Sequence, residues 1–132
     1  MNLKPFKTID LSYISLELYE NYVISTIQEG VLFDLPYLNV VMEIYEKYYG
    51  TKQFVLIAQR IYDYTINPTC YIVAPKKLNL LGIAVVCKSN SAFETALFEK
   101  KFYNNPYEPF QTLKAAVEWA EKLLEENKKA GL

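Results

Sequence analysis

Two short runs of apolar residues constrain the fold of this chain more than any other feature. They are Phe54–Ala58 (FVLIA) and Leu80–Cys87 (LLGIAVVC). A strand that is apolar at every position is covered on both of its faces, so we expect two buried strands, the first of them central. Gly82, inside the second run, is expected where another part of the chain packs close to the backbone.

A hairpin is predicted ahead of these strands. The residues of Tyr13–Tyr19 alternate between apolar and polar, which is typical of a half-buried strand, and Tyr22–Gln28 suits a second strand. Glu20 and Asn21 between them fit a tight turn, because asparagine tolerates a positive φ.

The first predicted helix carries clear signals at both ends. Asp34 is a capping carboxylate, Pro36 lies in the first turn, and Gly50 follows the last helical residue. The predicted core face has the i, i+3, i+4, i+7 spacing of an amphipathic helix. Its members are Leu38, Val41, Met42, Tyr45 and Tyr49.

A second apolar stripe, formed by Val40, Ile44 and Tyr48, runs along the same helix. It makes the apolar part of the helix wider than one face of a small domain needs. The stripe is either buried more deeply or a contact surface for another protein, and the pattern favours burial.

The next predicted helix is short and irregular. Asn67 is its cap and Pro68 its first residue. Pro75 lacks a backbone N–H, so we expect it to break or restart the helix near Ala74.

The remaining segments complete an alternation of strands and helices. Ser91 and Glu94 match a capping box that opens a third helix. A short edge strand is predicted at Glu108–Phe110, since proline is tolerated there only at a sheet edge, and an amphipathic helix begins at Thr112. The predicted order is β-β-α-β-α-β-α-β-α, an α/β mixed sheet with helices packed on it, in one domain over residues 1–132.

Four segments carry a resemblance to a known family: YISLELYENYVISTIQEG, FVLIAQR, LLGIAVV and PYEPFQTLKAAVEWAEKLL. In this order they resemble the SpoIIAA-like branch of the STAS family, over roughly residues 13–124. The resemblance implies a STAS-like sheet and a bacterial regulatory module of the anti-sigma factor antagonist type. Related sheets occur in CRAL-TRIO lipid-transfer domains.

The resemblance also directs attention to the loop after the central strand. In phosphorylated STAS antagonists, an Asp-Ser motif there places the serine at a helix amino terminus, where a phosphate is stabilised. The equivalent stretch here, RIYDYTINPTCY, has no serine. Thr69 is either a substitute phosphoacceptor or a residue that solvates the first helical turn, and the second interpretation is favoured. The predicted interaction loop consists of Tyr62, Asp63, Tyr64, Thr65, Asn67 and Thr69.

The composition argues against several chemistries. The chain has no histidine, which removes the commonest general base and metal ligand. Cys70 and Cys87 lack CxxC spacing, and Lys88 beside Cys87 is a weak indication of a reactive thiol. We predict no catalytic, metal or cofactor-binding residue. A net charge of −1 predicts no nucleic-acid partner, and no apolar run approaches the ~20 residues that would insert into a membrane, so we expect a cytoplasmic protein.

Two functions remain open. The first is a non-enzymatic regulatory module that binds another protein or a second copy of itself. The second is a carrier or sensor of a small apolar ligand in an aromatic-lined groove, which the twelve tyrosines and seven phenylalanines would permit. An enclosed pocket of several hundred Å³ with a few polar contacts would favour the ligand, and a closed, dry core would exclude it.

Overall fold

The computed structural model describes residues 4–130, which form a six-stranded mixed sheet with helices on both faces. A separate two-stranded pair, β4 with β6, lies in the loops. The strands are β1 (Lys7–Asp10), β2 (Ile14–Leu18), β3 (Tyr22–Ile27), β4 (Leu32–Phe33), β5 (Phe54–Arg60), β6 (Thr65–Ile66), β7 (Leu80–Cys87) and β8 (Tyr107–Phe110). The helices are α1 (Leu35–Tyr49), α2 (Thr69–Lys77), α3 (Asn90–Glu99) with a 3₁₀ turn at Lys100–Phe102, and α4 (Leu113–Ala130).

The strand order is β1-β2-β3-β5-β7-β8. The first three strands are antiparallel, and β3, β5, β7 and β8 are parallel. The predicted hairpin, the central position of β5 and the edge position of β8 are therefore confirmed. Strand β1 and the β4–β6 pair are additions, because each is short and has little apolar alternation of its own.

Helices cover both faces of the central strands, which explains their continuous apolar sequences. In β7, Ile83 and Val85 belong to the core under α1, α2 and α3, whereas Ala84 and Val86 belong to the core under α4. A Cβ at Gly82 would lie only 2.7 Å from a Leu123 side-chain carbon. The predicted close packing at this glycine is confirmed.

Helix α1 matches its prediction. Oδ1 of Asp34 accepts a hydrogen bond from the Leu35 N–H at 2.8 Å, and Gly50 ends the helix with φ of 57°. The five predicted core residues are buried. One of them, Tyr49, donates its hydroxyl proton to the carbonyls of Tyr19 and Tyr22, at 2.7 and 2.9 Å. This shared hydrogen bond holds the end of the helix against the hairpin.

Two predictions about the later helices are wrong. Helix α2 continues through Pro75 to Lys77, because buried Tyr71, Ala74 and Leu78 anchor both sides of the proline. The cap of α3 is Ser89, whose Oγ accepts from the Ala92 N–H at 3.1 Å.

The helix therefore begins at Asn90, two residues before the start at Ala92 that the predicted capping box implies. Ser91 consequently lies inside the first turn.

Candidate functional site

The predicted interaction loop lies between the end of β5 and the start of α2, and backbone hydrogen bonds hold it in place. The N–H of Gly30 donates to the carbonyl of Asp63 at 2.7 Å, and the N–H of Thr65 donates to the carbonyl of Val31 at 3.0 Å. The second of these bonds, with the one from the Asn67 N–H to the Phe33 carbonyl at 2.9 Å, pairs β6 with β4. The loop is therefore a fixed surface beside the start of α1.

Asn67 connects the beginnings of two helices. Its Nδ2 donates to Oδ1 of Asp34 at 2.8 Å, and its Oδ1 accepts from the Thr69 N–H at 3.0 Å. The hydrogen bond from Asn67, followed by the one from the Leu35 N–H, lowers the pKa of Asp34. Thr69 is exposed and is the first residue of α2, with Pro68 at the cap position, so the helix begins one residue later than the sequence predicted. The Asn67 side chain still accepts the hydrogen bond from the Thr69 N–H.

The loop residues differ in exposure. Tyr62, Asp63, Thr65 and Thr69 are exposed, whereas Tyr64 is partly buried. The loop therefore combines a solvent-facing part with one tyrosine that reaches inward.

A buried ion pair lies beneath this loop, and the sequence analysis missed it. Arg60, at the end of β5, donates from Nη1 and Nη2 to the two carboxylate oxygens of Glu99 in α3, at 2.9 and 3.1 Å. Both side chains are 5% exposed. The ring of Tyr64 stacks on the guanidinium, with its centroid 4.5 Å from Cζ.

Two more tyrosines complete the Arg60–Glu99 network. The hydroxyls of Tyr71 and Tyr107 donate to Oε1 of Glu99 at 2.8 and 3.3 Å. The network joins β5, α2, α3 and β8, so it fixes their ends to one another.

A pattern in the sequence pointed to this network. Arg60 continues the alternation of Phe54, Leu56 and Ala58, which face the same side of the sheet, and Glu99 follows Ala96 on the buried face of α3.

The titratable groups around the ion pair favour their protonated forms. Burial is the largest single influence and opposes the charge of Arg60, but the hydrogen bonds that Arg60 donates to the Glu99 carboxylate and the charges around them together outweigh burial and raise the pKa of the guanidinium. Burial raises the pKa of Tyr71 well above its usual value and that of Tyr64 to about 12.

The two thiols also favour their protonated forms. Burial raises the pKa of the Cys87 thiol, and burial together with the charge of Asp34 raises that of Cys70 to about 11. A nucleophilic cysteine needs a lowered pKa, whereas the pKa values of both thiols are raised.

An apolar cavity of about 80 Å³ lies between α1, α2 and β5. Leu56, Ala58, Val41, Tyr64 and Ala74 are among the residues that line it. Sites for drug-sized ligands measure roughly 300–1,000 Å³, so this cavity is well below the size that the ligand-carrier alternative requires.

A wider cleft of about 540 Å³ lies at the surface between the β2–β3 turn and α4. Its lining mixes charged side chains, among them Glu20, Glu121 and Lys128, with the aromatic side chains of Tyr19 and Tyr22. It is an open surface cleft of mixed polarity and not an enclosed apolar pocket.

The stripe on α1 is not part of the deep core. Val40 is 42% exposed, and Ile44 and Tyr48 are partly buried. Tyr37 stacks on Tyr13 at one end of the stripe, with ring centroids 3.9 Å apart.

At the other end of the stripe Phe6, 55% exposed, lies 5.9 Å from the Tyr48 ring. We call the whole set the α1 surface; it comprises Phe6, Tyr13, Tyr37, Val40, Ile44 and Tyr48.

The architecture defines a SpoIIAA-like α/β fold, as the sequence resemblance implied. The chain is similar to a solved structure of an uncharacterised protein of the DUF3478 family from Shewanella loihica PV-4, which is described as having this fold. The TM-score is 0.62 at 10% sequence identity, over 86% of this chain and 98% of that one. No family model and no curated protein matches the chain.

Two features of the described residues bear on the type of site. Among residues 4–130, no three His, Cys, Asp or Glu side chains are grouped so that they could hold a metal ion. No helix in that part of the chain is both long and apolar enough to cross a membrane.

Proposed function

We propose that this protein is a non-enzymatic, cytoplasmic regulatory module that binds another protein through the α1 surface. The observation that carries the proposal is the exposure of apolar side chains along one helix. Val40 and Tyr37 of α1, together with Phe6 just before β1, remain accessible, whereas the core face of α1 is buried. A contiguous apolar patch of this kind is typical of a protein-binding site.

The predicted interaction loop adjoins the same side of the molecule. The Phe33 ring of β4 lies 6.0 Å from Tyr37, and β4 pairs with β6 in the loop. The hydrogen bond between Asn67 and Asp34 connects the loop to the start of α1. A partner on the α1 surface would therefore lie beside Asn67 of the loop, which supports a single binding face built from both predicted elements.

The raised pKa values of the titratable groups support a role without catalysis. The two thiols have raised pKa values, and the hydroxyls of Tyr71 and Tyr107 donate to the buried Glu99 carboxylate. A SpoIIAA-like phosphoswitch would need an acceptor hydroxyl at the start of α2. Thr69 stands there without the Asp-Ser pair, so we propose that partner binding is not controlled by phosphorylation at this position.

Affinity capture with matched variants tests the proposal. Tagged wild-type protein, Val40→Lys and Leu97→Lys are expressed in the source cells, and the retained proteins are quantified by mass spectrometry. Leu97 is a matched control because it is equally exposed but lies on α3. We expect one partner that the wild type and Leu97→Lys retain and Val40→Lys loses. A set of proteins that is identical for all three would contradict a binding role of the α1 surface.

A further inference from the structure

The two edges of the main sheet differ in a way that matters for assembly. At one edge, Ile83 of β7 donates its N–H to the carbonyl of Pro106, and Val85 lies opposite Pro109. In a parallel ladder, alternate residues bond to the neighbouring strand, so Tyr107 and Pro109 direct their backbone groups outward. Since proline has no N–H, Pro109 blocks this edge to further pairing.

The opposite edge, strand β1, has no such block. The N–H of Leu11 donates to the carbonyl of Ile14 at 2.8 Å, and Ile9 lies opposite Leu16. By the alternation of an antiparallel ladder, Ile9 and Leu11 bond to β2, whereas Thr8 and Asp10 direct their backbone groups away from it. Within residues 4–130, no other strand pairs with that outer side.

We propose that β1 pairs antiparallel with β1 of a second copy, which makes the protein a two-fold dimer with a continuous twelve-stranded sheet built from the two six-stranded ones. The pairing is centred on Ile9. Thr8 of each copy then lies opposite Asp10 of the other, and every outward N–H meets an outward carbonyl. The second copy would be one partner of the binding module proposed above. The inference rests on that proposed function only where it treats the apolar residues beside β1 as part of a binding surface.

The charges of β1 favour a second copy in this orientation. The strand begins with Lys7 and ends with Asp10. Side chains alternate between the two faces of a strand, so Lys7 and Asp10 lie on opposite faces and do not meet across the pair. Antiparallel pairing keeps the two Asp10 carboxylates apart, each opposite Thr8 of the other copy, whereas parallel pairing in register would place them side by side. The Thr8 hydroxyl is also a donor for the carboxylate of Asp10 across the pair.

The apolar side chains fit the same arrangement. Ile9 is partly buried and packs on the core under α1, so the two Ile9 side chains would meet where that core reaches the edge. Phe6 precedes β1 and contacts Tyr48 of the α1 surface, which makes apolar area available beside the strand. Because Pro109 blocks the other edge, pairing stops at two copies and does not continue into a fibre.

A proline substitution at Thr8 tests the pairing with little disturbance of the monomer. Thr8→Pro removes an outward N–H and leaves the hydrogen bonds between β1 and β2 in place. Thr8→Val is the control, because it keeps the N–H and suits a strand. By size-exclusion chromatography with light scattering, the wild type and Thr8→Val should have twice the 15.3 kDa mass of the chain, and Thr8→Pro should have that mass itself.

Hydrogen exchange on the wild type provides a second readout that needs no variant. In the dimer, the amides of Thr8 and Asp10 should be protected at high protein concentration and lose protection on dilution, whereas that of Ile9 stays protected. A wild type that is monomeric at NMR concentrations, with Thr8 and Asp10 exchanging freely, would overturn the inference. Lys7 and Asp10 would then be charges that protect an open edge from pairing.

The two proposals fail separately. A monomeric wild type that still captures a Val40-dependent partner would refute the dimer and leave the binding module standing. A dimer that Thr8→Pro dissociates, with no Val40-dependent partner, would support the strand pairing and refute the wider use of the α1 surface.

Discussion

Replacing Glu99 with glutamine should destabilise the protein strongly, because it removes one charge of a buried pair and leaves the other. Arg60 and Glu99 are both about 5% exposed and share two hydrogen bonds. Glutamine has nearly the same shape as glutamate, so the change leaves the packing intact. Breaking a buried ion pair in this way costs roughly 3–5 kcal/mol.

That loss is large compared with the total stability of a domain, which is about 5–15 kcal/mol. It should lower Tm by roughly 10–20 °C for a chain of this size. Urea unfolding monitored by circular dichroism measures it directly, as a fall in the midpoint concentration at an unchanged slope.

The surface pair of Lys100 and Glu108 is the matched control. Its Nζ–Oε1 distance is also 2.9 Å, but both side chains are 45% exposed. Glu108→Gln should therefore cost no more than about 1 kcal/mol. Equal losses for Glu99→Gln and Glu108→Gln would refute the reasoning that burial of the first pair sets its contribution.

A double replacement separates the charge from the packing. When Arg60→Met and Glu99→Leu are combined, no uncompensated charge remains, so the double variant should lose less stability than the two single losses added together. Additive losses would mean that the two side chains do not act as a pair.

Three further predictions concern other parts of the fold. Gly82→Ala should cost about 1–3 kcal/mol, because the added methyl group would overlap the Leu123 side chain; thermal unfolding measures this, and a neutral result would contradict the close packing. Burial raises the pKa of Cys70 from 9.0 to about 11, so the fold favours the protonated thiol. The stability that this preference contributes is therefore complete below pH 9 and is lost as the pH rises through 11. In reducing buffer the free energy of unfolding of the wild type should therefore fall by about 2–3 kcal/mol more than that of Cys70→Ala between pH 9 and pH 11. Equal pH dependence of the two free energies of unfolding would contradict the pKa shift. Asn67→Ala should cost about 1–2 kcal/mol in urea unfolding, because it removes the side-chain acceptor of the Thr69 N–H at the start of α2 and the donor to Asp34; an unchanged midpoint would show that these two hydrogen bonds do not contribute.

The order of the main elements could be predicted because their signals are local. The unbroken apolar runs of β5 and β7 indicated strands covered on both faces, and Asp34 and Gly50 marked the ends of α1. Each of these features depends on residues close together in the chain. The resemblance to SpoIIAA-like proteins followed from the same order, and the fold confirms it.

The elements that were missed depend on distant partners. Strand β1 has one apolar residue in four, and it forms because β2 offers an edge to pair with. Arg60 and Glu99 are 39 residues apart, so although their local patterns place each on an inward face, nothing close in the chain indicates that they pair with each other.

The error at Pro75 has a similar origin. Local sequence predicted a broken helix, but tertiary packing of Tyr71 and Ala74 outweighs the missing hydrogen bond.

Site-specific photo-crosslinking in the source cells tests the central claim, that the α1 surface binds a protein, most directly. A photoreactive phenylalanine analogue replaces Val40 in one strain and Leu97 in another, and adducts are detected after irradiation by their increased mass on a gel. A discrete adduct from position 40 and none from position 97 is the predicted result. No adduct from position 40, at normal expression and with the fold intact, would contradict the account.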